Sequence, residues 1–149
     1  MAVTLVAAGV LLIVLSSSFE EVAMPEGQGQ VLFPDGTLVT VEIADTRAER
    51  AQGLSGHEPL GPEEGMLFLY DDLSQYGFWM KDMLFAIDIV WLSGELVMDL
   101  DRELPPEEPP TTIYRPSLPV DRVIELPAGF IDKHGVKVGD RLDMKLPEA

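Results

Sequence analysis

From residue 30 onward the chain consists of short apolar runs, each stopped by turn-forming residues before it reaches the length of an ordinary helix. Gln30–Phe33 and Leu38–Ala44 flank Pro34-Asp35-Gly36-Thr37, which reads as a hairpin closed at Asp-Gly. In the second arm Val39, Val41 and Ile43 alternate with Thr40 and Glu42, giving one buried and one wet face. Thr46-Arg47-Ala48-Glu49 has the spacing of a capping box and predicts a short helix over Arg47–Leu54, ended by Gly53 and Gly56. A Pro/Gly/Glu loop follows over Glu58–Gly65. Met66–Tyr70 reads as a central strand, Asp71–Gln75 as a turn and Tyr76–Met80 as an aromatic strand. Phe85–Leu92, the most apolar stretch of this body, turns at Ser93-Gly94 and returns over Glu95–Leu100.

Leu104–Pro119 holds six prolines in sixteen residues, which excludes regular structure there. It is either a functional loop or a strap over a sheet edge. Val120–Leu126 reads as a strand, Pro127–His134 as a short helix with Gly135 past its end, and Val138–Leu146 as a last strand. The expected fold is mainly β: an antiparallel β sandwich or barrel of about seven or eight short strands with two short helices, and no βαβ rhythm.

Charge divides the chain. Residues 1–18 carry none, and 13 of the 18 are apolar, so all 26 acidic and 10 basic side chains lie beyond them. The run Ala2–Leu15 with Ser16-Ser17-Ser18 has the character of a signal peptide or membrane anchor. Residues 19–29 read as a linker and 30–149 as a single domain, placed outside the cytoplasm or tethered to a membrane through the N-terminal segment. A net charge of -16 argues against nucleic acid as a partner, since phosphates demand a basic surface. The acidity suits either adaptation to high salt or an ordinary exported surface. No cysteine is present, so disulfides, thiolate metal sites and thiol nucleophiles are excluded. His57 and His134 are isolated, each near a loop, and no metal or other cofactor is expected.

The sharpest local pattern is Phe78-Trp79-Met80-Lys81-Asp82-Met83 followed by Phe85-Ala86-Ile87-Asp88-Ile89. An Asp within an apolar strand is expected to be buried, and a buried carboxylate needs partners. Lys81 is its nearest cation in sequence, with Arg47, Arg50 and Arg115 within reach through the fold. Trp79 is either a core aromatic or a stacking platform for a ring such as a sugar.

These blocks have an order. Glu49-Arg50 with Gly53-Leu54, Gly65-Met66-Leu67-Phe68, Phe78-Trp79-Met80-Lys81, Leu84–Ile89, Val123–Gly129 and Gly135 with Val138-Gly139-Asp140 follow one another over residues 37–146. In this the chain resembles the domain of unknown function 192 family, widespread in bacteria and archaea. The resemblance implies a compact, mainly-β fold and brings no reaction, cofactor or partner. It places recurring polar positions at Arg50, Lys81 and Asp88, beside Trp79 and Met80. Three departures stand out: His57 where Arg is common, Asp82 for the usual Asn, and Ala86 for the usual Pro. The first two make the region less positive and disfavour an anionic ligand.

Two functions are therefore expected as alternatives. One is an exported or membrane-tethered non-catalytic binding domain with a cleft at Trp79, Lys81, Asp88 and Arg50, recognising a carbohydrate or an extracellular polymer. The other is a small hydrolase or lyase, with Asp88 as general base and Lys81 or Arg50 stabilising negative charge.

Overall fold

A computed structural model of the chain describes residues 24–147. The signal or anchor segment expected over 1–18, and the beginning of the linker expected over 19–29, lie outside the described residues. The expected linker ends early, because β1 (Gln28–Leu32) already pairs with β2 (Leu38–Ala44). Their turn closes as the sequence predicts. Asp35 Oδ1 accepts the Thr37 amide at 2.9 Å, and Gly36 takes φ +89°, which side-chain-bearing residues resist.

Helix α1 (Arg47–Gln52) starts at the capping box. The Glu49 amide donates to Thr46 Oγ1 at 3.2 Å, and the Glu49 carboxylate accepts the Thr46 amide at 3.0 Å. The helix and the loop after it carry the chain back along β2, so β3 (Glu64–Ser74) pairs with β2 in parallel, Thr40 opposite Glu64. This corrects the antiparallel expectation: residues 45–63 form the long crossover that a parallel pair requires. The remaining pairings are antiparallel. Strands β4 (Ile87–Ser93), β5 (Leu96–Leu104), β6 (Val120–Pro127) and β7 (Asp143–Lys145) complete one mixed sheet, ordered β5-β4-β6-β3-β2-β1-β7, with α2 (Phe130–His134) after β6.

The sheet is a curled half-barrel rather than two stacked layers. Its two ends are tied together by the C-terminal segment. The Val97 amide donates to Asp140 O, the Gly139 amide to Val97 O and the Leu142 amide to Glu95 O, each at 2.9 Å, before the chain moves across to pair β7 with β1. The final strand expected over Val138–Leu146 is therefore short, because its first half is spent on β5.

Alternation along the strands divides the core in two. One face carries Val39, Val41, Leu67, Val90, Leu92, Ile124 and Leu126 and packs under Phe130 and Ile131 of α2. The other carries Phe68, Ile87, Ile89, Trp91 and Val123 and packs against Leu54, Met80 and Met83. The segment Tyr76–Met80 is no strand of the sheet. Its Phe78 pairs with Tyr114 of the proline-rich segment, through N–H···O bonds of 2.9 and 2.8 Å. Prolines deny that segment a ladder, so it crosses this second face as a strap. Helix α2 begins at Phe130, later than expected, because β6 continues to Pro127 and Gly129 makes the turn at φ +84°.

Candidate functional site

Asp88 and the cleft that holds Trp79 lie on opposite faces of the sheet. Asp88 shares its face with Val90 and Leu92, under α2, and is 1% exposed. Its Oδ1 accepts the amides of Glu103 at 2.8 Å and Gly129 at 3.1 Å, and its Oδ2 accepts the Ile131 amide at 2.8 Å. The carboxylate thus caps the first turn of α2, where free N–H groups need an acceptor, and pins a bulge in β5 at the same time. At that bulge the register steps from Ile89↔Asp101 to Ile87↔Leu104, and Glu103 takes φ +51°. Lys81 makes no ion pair with it. Asp88 is committed to backbone amides and is not brought together with Trp79, Lys81 and Arg50.

Trp79 and Arg50 line a cleft on the other face, and Lys81 lies outside its lining, beside the Trp79 ring. The cleft floor is β3 and β6, with Phe68, Tyr70 and Glu125. One wall is α1 and the turn after it, including Arg50 and Ser55, and the other is the segment around Phe78 and Trp79. The enclosed volume is about 70 Å³, enough for a few waters or a small chemical group. Beyond Trp79 a second opening of about 240 Å³ continues over Gly77, Ile113 and Arg115 of the strap.

The walls are fixed by backbone bonds. Ser55 Oγ donates to Lys81 O at 2.9 Å, and the Gly56 amide donates to Asp82 O at 2.9 Å, docking the Trp79–Asp82 turn onto the end of α1. Asp82 sits at φ +55°, a conformation that Asn and Asp tolerate better than most residues. This gives a backbone reason for an Asx residue at this position. Trp79 is 55% exposed, which resolves the two sequence readings of it in favour of a surface ring. Lys81 Nζ lies 5.7 Å from the Trp79 ring centre. The Arg50 guanidinium stacks 4.9 Å from the centre of Tyr70 and donates to Leu69 O at 2.8 Å and to Asp45 O. Tyr70 stacks in turn on Tyr76 at 3.5 Å. Burial pushes the Tyr70 hydroxyl up to about 12, with Arg50 pulling the other way.

Glu125 is the residue that sequence reasoning passed over. It shares the cleft side of β6 with Val123, opposite Met66 and Ile89, and is 5% exposed. Its Oε2 is sealed from solvent and has no hydrogen-bond partner. Burial alone pushes its carboxyl up to about 8, so at neutral pH the group is mostly the uncharged acid. The signal was present: Val123-Ile124-Glu125-Leu126 is an acidic residue inside an apolar strand, the pattern that drew attention to Asp88. Among the described residues no group of three His, Asp or Glu side chains is placed to hold a metal ion.

Fold and site together define a curled mixed-β domain with a small aromatic cleft built over an uncharged, buried acid. The model of the DUF192 family, described as "Uncharacterized ACR", matches residues 30–144, and the chain belongs to that family. Among solved structures it is similar to a candidate transcription regulator from Sinorhizobium meliloti 1021. That pair shares 28% identity with a TM-score of 0.70, covering 83% of this chain and 97% of the other. It is likewise similar to a protein of unknown function from Novosphingobium aromaticivorans DSM 12444. There the identity is 28% and the TM-score 0.71, with 82% and 91% covered. Among curated proteins none matches.

Proposed function

We propose that the chain is a non-catalytic binding domain, exported or tethered by its uncharged N-terminal segment, that takes a carbohydrate unit of an extracellular polymer on Trp79, in the opening of about 240 Å³ beside the cleft. The observation that carries this reading is Trp79, a large ring left 55% exposed at the lip of a cleft floored by a buried carboxyl group. An exposed indole offers an apolar face to a sugar ring, while its surroundings supply polar contacts. The cleft continues past Trp79 over the strap, which suits a chain of units better than a single one. The net charge of -16 favours neutral or cationic polymers over anionic ones.

The test is a calorimetric titration of the purified domain with neutral and amino-bearing oligosaccharides, repeated with Trp79→Ala. Saturable binding that the substitution abolishes, with folding unchanged, is the expected result. Equal binding by Trp79→Ala removes the cleft from the proposal. For location, a reporter active only outside the cytoplasm, fused after residue 149, should be active with residues 1–18 and silent without them.

A further inference from the structure

We propose that the Glu125 end of the cleft is a subsite for an ammonium group, so that the unit recognised at Trp79 is an amino sugar. This rests on the reading of the cleft as a carbohydrate site and names the class of sugar.

Three observations converge. First, the Glu125 carboxyl group is 5% exposed, borders the cleft, and has an oxygen with no hydrogen-bond partner. Buried polar atoms left in that state are rare and destabilising, and a donor reaching the carboxyl group from the cleft, with the group turning to meet it, would relieve the cost. Second, the cleft around it is aromatic, with Phe68, Tyr70, Phe78 and Trp79 in its lining. Aromatic walls with a carboxylate at the base suit an organic cation, because ring faces attract positive charge and reject anions. Third, no cation already occupies this role. The ion pairs Arg102–Asp132, His134–Asp35 and Arg141–Glu95 all lie elsewhere, and burial alone shifts the Glu125 carboxyl, with no contribution from a neighbouring cation.

The titratable and charged groups facing Glu125 are few. From α1 comes Arg50, whose guanidinium lies over Tyr70 and donates to the backbone carbonyls of Asp45 and Leu69. From β3 comes Tyr70, neutral across the working range. Its neighbour on β4, Ile89, and the lining residues Phe78, Trp79 and Met83 bring no charge.

Because Glu125 rests as the acid, an incoming ammonium displaces its proton. The O–H bond of the carboxyl breaks, the proton leaves to solvent, and the carboxylate accepts a hydrogen bond from the ammonium. Binding of a cation should thus release protons. Binding of a neutral ligand that accepts a hydrogen bond from Glu125 should release none and should weaken as pH rises.

The experiment is isothermal titration at about pH 5.5, acidic enough that the sugar amines are already protonated in solution, with a β-1,4-linked glucosamine tetramer and with its uncharged glucose counterpart, in two buffers of different ionisation enthalpy. The glucosamine tetramer should bind at least about tenfold tighter and release about one proton per site. Glu125→Gln should reduce the two sugars to equal affinity. Equal affinities for wild type, or tight binding without proton release, would overturn the ammonium subsite and leave the carbohydrate cleft standing. A preference for the amine that survives Glu125→Gln would also overturn it, assigning the preference to the acidic surface. Binding of neither sugar would remove the carbohydrate reading itself, and the subsite with it. If Glu125→Gln fails to fold, the proton count on the wild-type chain decides the matter.

Discussion

Asp88 offers the strictest test of the fold, because one carboxylate holds three elements at once. Its oxygens accept three amides, one from the bulge in β5, one from Gly129 in the turn that enters α2 and one from Ile131 in the first turn of α2. Asp88→Ala would orphan all three donors in a site that is 1% exposed. A buried unsatisfied donor costs about 1–3 kcal/mol, and losing one side of a buried charged network costs about 3–5 kcal/mol. The expected loss for Asp88→Ala is therefore about 3–5 kcal/mol. Asp88→Asn keeps the shape. Its carbonyl oxygen can serve Glu103 and Gly129, but its amide nitrogen then meets the Ile131 N–H, donor against donor. One charge-assisted bond is lost and one donor stranded, for an expected cost of about 2–4 kcal/mol. Urea unfolding followed by tryptophan fluorescence should show both losses as lower midpoints at unchanged slope. Hydrogen exchange should locate the damage, with the Ile131 and Glu103 amides losing protection first. If both variants stay within about 0.5 kcal/mol of wild type, as is usual for surface changes, the capping role is refuted.

Other outcomes follow from the same structure. The folded-state Glu125 carboxyl is raised to about 8 from 4.5, so the folded chain holds a proton that the unfolded chain releases. Stability should fall as pH climbs between those two values, by at most about 1.4 kcal/mol per pH unit, and Glu125→Gln should flatten that slope in pH-dependent unfolding. Gly65 lies where an added Cβ would meet Glu125 O at 2.8 Å and Leu126 Cδ2 at 3.2 Å, so Gly65→Ala should cost about 1–3 kcal/mol by thermal denaturation. Glu103 occupies the left-handed region at φ +51°. Glu103→Gly should leave stability equal or slightly higher, whereas β-branched Glu103→Val should lower it by about 1–2 kcal/mol.

What the sequence discloses here is mostly local. The Asp-Gly hairpin and the capping box at Thr46 are short-range chemistry, and both stand in the structure where the residues predict them. The parallel pairing of β2 with β3 is not local. It depends on the path of residues 45–63, which alternation of apolar residues cannot reveal. The same distinction governs the site. That Asp88 is buried can be read from its apolar neighbours, but its partners at Gly129 and Ile131 lie far along the chain. Pairing it with Lys81 by nearness in sequence put it on the wrong face of the sheet. Glu125 carries the same local signal as Asp88. What distinguishes them is whether distant amides arrive, and only the fold decides that.

The tie between the two ends of the sheet bears on how the chain comes to be folded. Strand β1, among the first described residues to leave the ribosome, finds its outer partner only in Asp143–Lys145, and β5 awaits the carbonyls and amides of residues 139–142. Neither edge can be covered until residues 139–145 have been made. A nascent chain therefore has both sheet edges open, and open edges are where chains pair with one another. At a net charge of -16, neighbouring copies repel one another during that interval, which opposes pairing at the open edges.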